Sequence, residues 1–229
     1  YRAPLDVGLA SSIALQMCEA LSHAHSHHTV HRDLKPDNVQ LTKAGEKVWA
    51  KVLDFGIARM TRQPSSAIQA NQSTIEIAGT PAYMSPEQIL GKAPDIRTDL
   101  YSLGIILFEM LTASRPFEDE NSVTLCMKQL NDVPPAIESV MGAGKIPSEL
   151  ARLVERLLAK DVAERPSSAD ELALALRPFA GEDSTRGLVE HLQADAPAGL
   201  AHAPTRQDGG AALAQVAAQQ HGSAEPVAG

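Results

Sequence analysis

The sequence predicts a mainly α-helical fold with one small β-hairpin. Three observations carry this. Apolar residues recur at helical spacing through most of residues 6–180. The run Leu100 to Leu111 is apolar on nearly every face. One pair of short apolar runs is separated by turn chemistry.

Asp6 has the chemistry of a helix N-cap, and Leu9, Ile13, Met17 and Leu21 recur every four residues behind it. This predicts an amphipathic helix from Asp6 to about His27, which Thr29-Val30-His31 leaves in extended form. Val39 to Leu41 and Val48 to Leu53 flank Lys43-Ala44-Gly45-Glu46 and read as the hairpin. From Thr61 to Thr74 the composition turns to Ser, Gln, Asn and Pro, which predicts a long loop of the kind that often carries function. Leu100 to Leu111 reads as the central helix, too short to span a bilayer. Ser122 to Leu130, Pro147 to Leu158 and Ser168 to Leu176 are further helices. Ser148-Glu149 and Ser167-Ser168-Ala169-Asp170 supply capping chemistry for the last two. After Ala180 the pattern collapses into Ala, Gly, Pro, Gln and His. The expected organisation is therefore one domain over 1–180 and a low-complexity, disordered tail over 181–229.

Composition narrows the function. Hydrophobic residues at 44% and charged residues at 21% suit a globular body. Aromatics at 3% require an aliphatic core. A net charge of −8 gives no support to a nucleic-acid or membrane-surface binder. Cys18 and Cys126 lie far apart in helical patterns, which predicts buried free thiols in a reducing compartment and a cytoplasmic location. The opening Tyr1-Arg2-Ala3-Pro4-Leu5 has neither an initiator Met nor a signal-peptide layout, so a fragment is expected.

The chemistry concentrates between His23 and Asp54. His23, His25, His27 and His28 follow no common zinc spacing and read as a solvated helix end; His23 and His27 share a helical face that invites only adventitious metal. His31 opens a different pattern. "HRDLKPDN" runs from His31 to Asn38, and Asp54-Phe55-Gly56 begins sixteen residues after Asn38. "GTPAYMSPE" follows from Gly79 to Glu87, then "DLYSLGIILFEML" from Asp99 to Leu111. In this order and spacing, residues from Asp6 to about Ala180 resemble the large, helical lobe of the eukaryotic-type Ser/Thr protein kinases, in wording close to the bacterial branch.

The resemblance implies phosphoryl transfer from ATP with Mg²⁺, in a protein-kinase-like large lobe. Asp33 is implied at the substrate hydroxyl, Lys35 at the transferring phosphoryl group, and Asn38 and Asp54 as oxygen ligands to Mg²⁺. Lysine at position 35 is the Ser/Thr pattern and argues against a tyrosine acceptor. His31 is implied to hold the loop, Asp99 to accept its backbone amides, and Glu87 to pair with Arg165 in a buried ion pair. Thr80 is implied beside Asp33, lining the acceptor site. Arg32 is implied to meet a phosphate on the Asp54–Glu87 segment, with Thr74 the first candidate and Ser73, Ser65 and Ser66 the alternatives. Gln40 stands where the family places an apolar floor under adenine, a departure that weakens that floor. The partners implied are protein substrates with Ser or Thr acceptors; no nucleic acid and no membrane segment enter, and the oligomeric state is open.

The 229 residues contain no Gly-rich loop, no strand lysine and no helix glutamate to pair with it, so the small N-terminal lobe is missing from them. The expectation is an intact catalytic loop with little activity of its own. The alternative is a kinase-like lobe kept as a protein-binding scaffold. A small-molecule phosphotransferase shares an Asp-and-Asn loop but not the "GTPAYMSPE" segment.

Overall fold

Asp6 starts the first helix, α1 (Val7–Ser26), by accepting the Gly8 amide at 2.8 Å. Its stripe of Leu9, Ile13, Met17 and Leu21 is buried along the whole length. The structure, a computed structural model, describes residues 3–44, 47–55, 68–71, 74–77 and 81–181. The tail expected beyond 181 lies outside the described residues, as do residues 61–67 of the expected loop. The described residues belong to one unit, Tyr1–Gln193.

After α1 the chain turns through His28, whose φ of 56° is left-handed. It then runs through the His31–Asn38 loop into an antiparallel hairpin, β1 (Val39–Ala44) and β2 (Lys47–Val52), in the register Val39↔Val52 to Ala44↔Lys47. Val39, Leu41, Ala50 and Val52 pack against the main core. The Ala50 amide donates to Gln16 Oε1 at 2.9 Å, which pins the hairpin to α1. The opposite face carries Gln40, Trp49, Lys51 and Leu53, all exposed.

A second hairpin, β3 (Ile68–Asn71) and β4 (Thr74–Ile77), occupies part of the segment the sequence presents as loop. The polar composition hides a short period-2 pattern, Thr-Ile-Glu-Ile facing Ile-Gln-Ala-Asn. Four-residue strands are too short to stand out by composition.

Helix α2 (Pro86–Ile89) follows a Ser85 capping box, with Pro86 at its first position. Helix α3 (Ile96–Thr112) starts at Asp95, whose side chain accepts the Arg97 amide at 2.7 Å. Almost every α3 residue is buried, from Thr98 to Thr112, so α3 runs through the core of the Tyr1–Gln193 unit. Helices α4 (Ser122–Asn131), α5 (Ile137–Met141), α6 (Ser148–Leu157) and α7 (Ala169–Leu176) pack around it. α6 lies so close to α3 that a Cβ on Gly104 would sit 2.6 Å from Leu157 Cβ. α7 rests on α1, where Ser22 Oγ donates to Asp170 Oδ1 at 2.6 Å.

The capping expectations divide. Ser168 caps α7, accepting the Glu171 amide at 3.1 Å. Ser148 does not cap α6: it is already the first helical residue behind Pro147, and its hydroxyl turns to Glu149 Oε2 at 3.2 Å. Both cysteines are buried and free. Burial pushes the Cys18 thiol far above its ordinary value, so it packs as an apolar group. Among the described residues no helix is long and apolar enough to cross a membrane.

Candidate active site

The site is built on one carboxylate. Asp99, in the first turn of α3, is fully buried. Its Oδ2 accepts the His31 amide and its Oδ1 the Arg32 amide, each at 2.8 Å. Charge-assisted bonds of this kind are the strong ones in a dry interior. They hold Arg32 at a φ of 66°, a conformation that costs a non-glycine residue about 1–3 kcal/mol. A further contact closes the loop from below: Gln88 Nε2 donates to the Arg32 carbonyl at 2.7 Å, while its Oε1 accepts the Ser85 amide.

With that backbone held, Asp33, Lys35 and Asn38 turn to one side. Lys35 Nζ lies 3.3 Å from Asp33 Oδ2, and both side chains keep partial access to solvent. Asn38, at the end of a 3-10 turn over Pro36–Asn38, donates its amide Nδ2 to the Asp33 carbonyl at 2.7 Å. Its amide nitrogen is thereby spent on the loop, and the end left for a ligand is the oxygen.

Asp54 arrives from the other strand. The hairpin register brings Val52 opposite Val39, and the Leu53 amide donates to the Asn38 carbonyl at 2.8 Å. His31 Nε2 meets the Leu53 carbonyl, also at 2.8 Å. Both backbone groups of Leu53 are thus tied to the loop, and Asp54 is the next residue. Asp54 has a φ of 52°, a second left-handed non-glycine residue within the same site. The Phe55 ring stacks at a tilt on His31, with centroids 4.9 Å apart.

Glu87 and Arg165 form a separate, buried, two-pronged pair: Nη1 to Oε1 at 2.8 Å and Nη2 to Oε2 at 3.0 Å. Thr98 Oγ1 adds a bond to Glu87 Oε1 at 2.9 Å. Burial pushes the Glu87 carboxyl up, but Arg165, a backbone bond and Thr98 together hold it below the usual glutamate range. This pair does not touch the loop; it reaches it through the neighbours Gln88 and Asp99. Gln40 is exposed on the outer face of β1. Thr74 begins β4, with its side chain undescribed, and Thr80, Ser73, Ser65 and Ser66 lie outside the described residues.

A solvated helix end does not describe all four upstream histidines. His25 has only 6% of its side chain exposed and sits 2.8 Å from Asp99 Oδ2. The signal was in the sequence: position 25 continues the stripe 9, 13, 17, 21, so it faces the core. His23, His27 and His28 are exposed, the first two with rings 4.7 Å apart. Among the described residues no group of three or more His, Cys, Asp or Glu is placed to hold a metal. Asn38 and Asp54 carry hard oxygen donors of the kind that suits Mg²⁺. Tyr83 was also missed; its hydroxyl donates to Glu109 Oε2 at 2.7 Å, and burial with that bond pushes the phenol far up.

Comparison with known proteins gives a consistent set. A family model for the protein kinase domain matches residues 2–175. Serine/threonine-protein kinase pkn3 of Myxococcus xanthus is 35% identical over 204 residues, covering 89% of this chain and 37% of the relative. Pkn1 of the same organism is 39% identical over 204 residues, covering 86% and 27%. The chain therefore spans well under half the length of the curated relatives it matches. The crystal structure of the Mycobacterium tuberculosis PknI kinase domain aligns with a TM-score of 0.57 at 26% identity, covering 79% of this chain and 58% of that one.

Proposed function

Since the chain belongs to the protein kinase family, in its bacterial eukaryotic-type Ser/Thr branch, we propose that it supplies the catalytic loop for transfer of the ATP γ-phosphoryl group to Ser or Thr of protein substrates. Residues 1–180 form the catalytic lobe in this reading, and 181–229 an appended tail.

Asp33 accepts the acceptor hydroxyl's proton, or orients it, as the new oxygen–phosphorus bond forms and the bond to ADP breaks. Lys35, 3.3 Å from that carboxylate, places its ammonium where the transferring group gathers negative charge. Asn38 through its oxygen and Asp54 through its carboxylate would hold Mg²⁺. Bound there, the ion neutralises phosphate charge. Asp99 and His31 act one step back, keeping the loop and Leu53 in register. Arg32 meets a phosphate on the segment after Asp54, with Thr74 the favoured acceptor; Thr80 lines the acceptor site, and Gln40 lies under the adenine.

The observation that carries this reading is the double tie of Leu53 to the loop, through Asn38 and His31. It supports bringing Asp54 beside Asp33 and Asn38. A pair of proteins tests it: the 229 residues alone, and the same residues joined behind a small kinase lobe that carries a Gly-rich loop and a strand lysine. With labelled ATP, Mg²⁺ and a protein substrate, the longer protein should label Ser or Thr, and Asp33→Asn should cut the rate by about 10²–10⁴-fold. The 229 residues alone, with no Gly-rich loop or strand lysine among them, should transfer far more slowly. Transfer that survives Asp33→Asn would contradict the assignment.

A further inference from the structure

We propose that Gln129 is a positioning residue for the acceptor side of the site, holding the 3-10 turn Pro81–Tyr83, and that Lys160 anchors Gln129 from behind. This rests on the phosphotransfer reading, in which Thr80, the residue before Pro81, lines the acceptor site. Two consecutive carbonyls of the turn are taken by buried side chains from two helices. Gln129 Nε2 of α4 donates to the Ala82 carbonyl at 2.9 Å, and Ser102 Oγ of α3 donates to the Tyr83 carbonyl at 2.8 Å. Gln129 Nε2 also lies 3.5 Å from the Pro81 carbonyl. Carbonyls can only accept, so the direction of the Gln129 amide is fixed by chemistry. Its other end is spent as well: Oε1 accepts the Tyr101 hydroxyl at 2.5 Å. Gln129 is fully buried, and a buried amide with both ends committed is a rigid strut between α3, α4 and the turn.

Lys160 fixes the backbone of the same residue. The Gln129 carbonyl lies in the last turn of α4, where the helix supplies no partner. Lys160 Nζ donates to it at 2.7 Å, a placement that also suits the helix dipole. The ammonium stands 4.1 Å over the Phe117 ring, and Phe117 packs with Ala82 and Leu125. Lys160 thus touches both the residue that holds the turn and the ring packed against it. Burial pulls its ammonium down to about 8, so the charge is kept here at a cost that a surface lysine does not bear. The place of the turn relative to Asp33 sets where an acceptor hydroxyl can lie. Loss of the Gln129 strut would therefore weaken acceptor binding before it touched ATP.

Two measurements keep the positioning claim apart from the phosphotransfer reading. In the full 229-residue chain, exchange of the Met84 amide, which donates to the Pro81 carbonyl, is compared with exchange at Ile105 in the middle of α3. Gln129→Met keeps the side-chain length and loses both polar ends; it should speed Met84 exchange about tenfold relative to Ile105. Lys160→Met should speed it about threefold. Unchanged Met84 exchange in both variants, or an equal rise at Ile105, would overturn the proposal. Should the variants not fold, the unmutated chain decides: the Gln129 side-chain amide protons should exchange at least about tenfold more slowly than those of exposed Gln40, and equal rates would sink the idea.

The second measurement uses the 229 residues joined behind a small kinase lobe, with ATP, Mg²⁺ and a degenerate peptide pool carrying one central Thr. Gln129→Met should raise the apparent KM for the pool about tenfold and leave the KM for ATP within about twofold. A fall in kcat with both KM values unchanged would make Gln129 a residue of the fold alone and end its acceptor role. A joined protein that labels nothing even when unmutated would overturn the phosphotransfer reading and the acceptor role with it, while the exchange result would still decide whether Gln129 holds the turn.

Discussion

Arg165 holds a positive charge where its side chain has no exposure to water. Every nitrogen of the guanidinium is engaged: two on Glu87, with carbonyls of Ala159, Lys160 and Arg97 around them. Such a pair is worth little relative to an apolar replacement of both, but breaking one side strands a buried charge. Arg165→Ala should therefore cost about 3–5 kcal/mol, read as a lower urea midpoint. Glu87 adds a pH signature. Its folded-state carboxyl is held below the ordinary value of 4.5, so its contribution is whole above that value and is lost as pH falls through the lower, folded-state value. The stability gap between the unmutated chain and Glu87→Gln should be flat at neutral pH and close below about pH 4.5. A gap that is constant to pH 3 would mean the carboxylate is not held by Arg165. At this scale the sequence was legible in which residues the structure brings together, as it does Asp33 and Lys35 at 3.3 Å. It was misleading at His25, which reads as part of a solvated helix end although its position gives it a buried contact.

Elements do the positioning. The β1–β2 hairpin acts as a ruler, converting the fifteen residues of chain between Asn38 and Asp54 into a single ladder step. Its two short apolar runs around a turn were readable, and in the fold Val39, Leu41, Ala50 and Val52 pack on the core, which specifies the register. The β3–β4 hairpin was not, because four-residue strands set among polar residues are too short to stand out by composition. Five helices, α1, α3, α4, α6 and α7, were readable to within a few residues, while the short α2 and α5 were not, and Ser148 shows why ends resist: a serine near a helix start caps only if it stands one place before the first turn. α3 and α6 pack closely at Gly104. A methyl group there would approach Leu157 Cβ to 2.6 Å, backbone-anchored and unable to yield. Gly104→Ala should destabilise the fold by about 1–3 kcal/mol, despite alanine's better helix propensity. Thermal unfolding measures it; a stabilised variant would mean that α6 slides freely.

Within the unit Tyr1–Gln193, α1 and α3 pack against each other, and the His31–Asn38 loop hangs from α3 by Asp99. The core between them is aliphatic, with Tyr101 and Phe108 the fully buried aromatics among the described residues. The hairpin completes the site on one side, and its outer face, with Trp49 half exposed, is left uncovered by the described residues. The site was legible as a list of residues because its motifs sit close together in sequence; the long-range ties were less so, since nothing local in Gln88 or His25 announces a partner fifty or more residues away. The claim on which function depends is that the loop and the end of β2 present oxygen ligands to one point. Titrating Mn²⁺ with ATP into the isotope-labelled chain tests this directly, because paramagnetic broadening falls steeply with distance from the ion. The amides of Asn38 and Asp54 should broaden first and together, ahead of those around His23 and His27. Broadening centred on the α1 histidines, with Asn38 and Asp54 left sharp, would contradict the account.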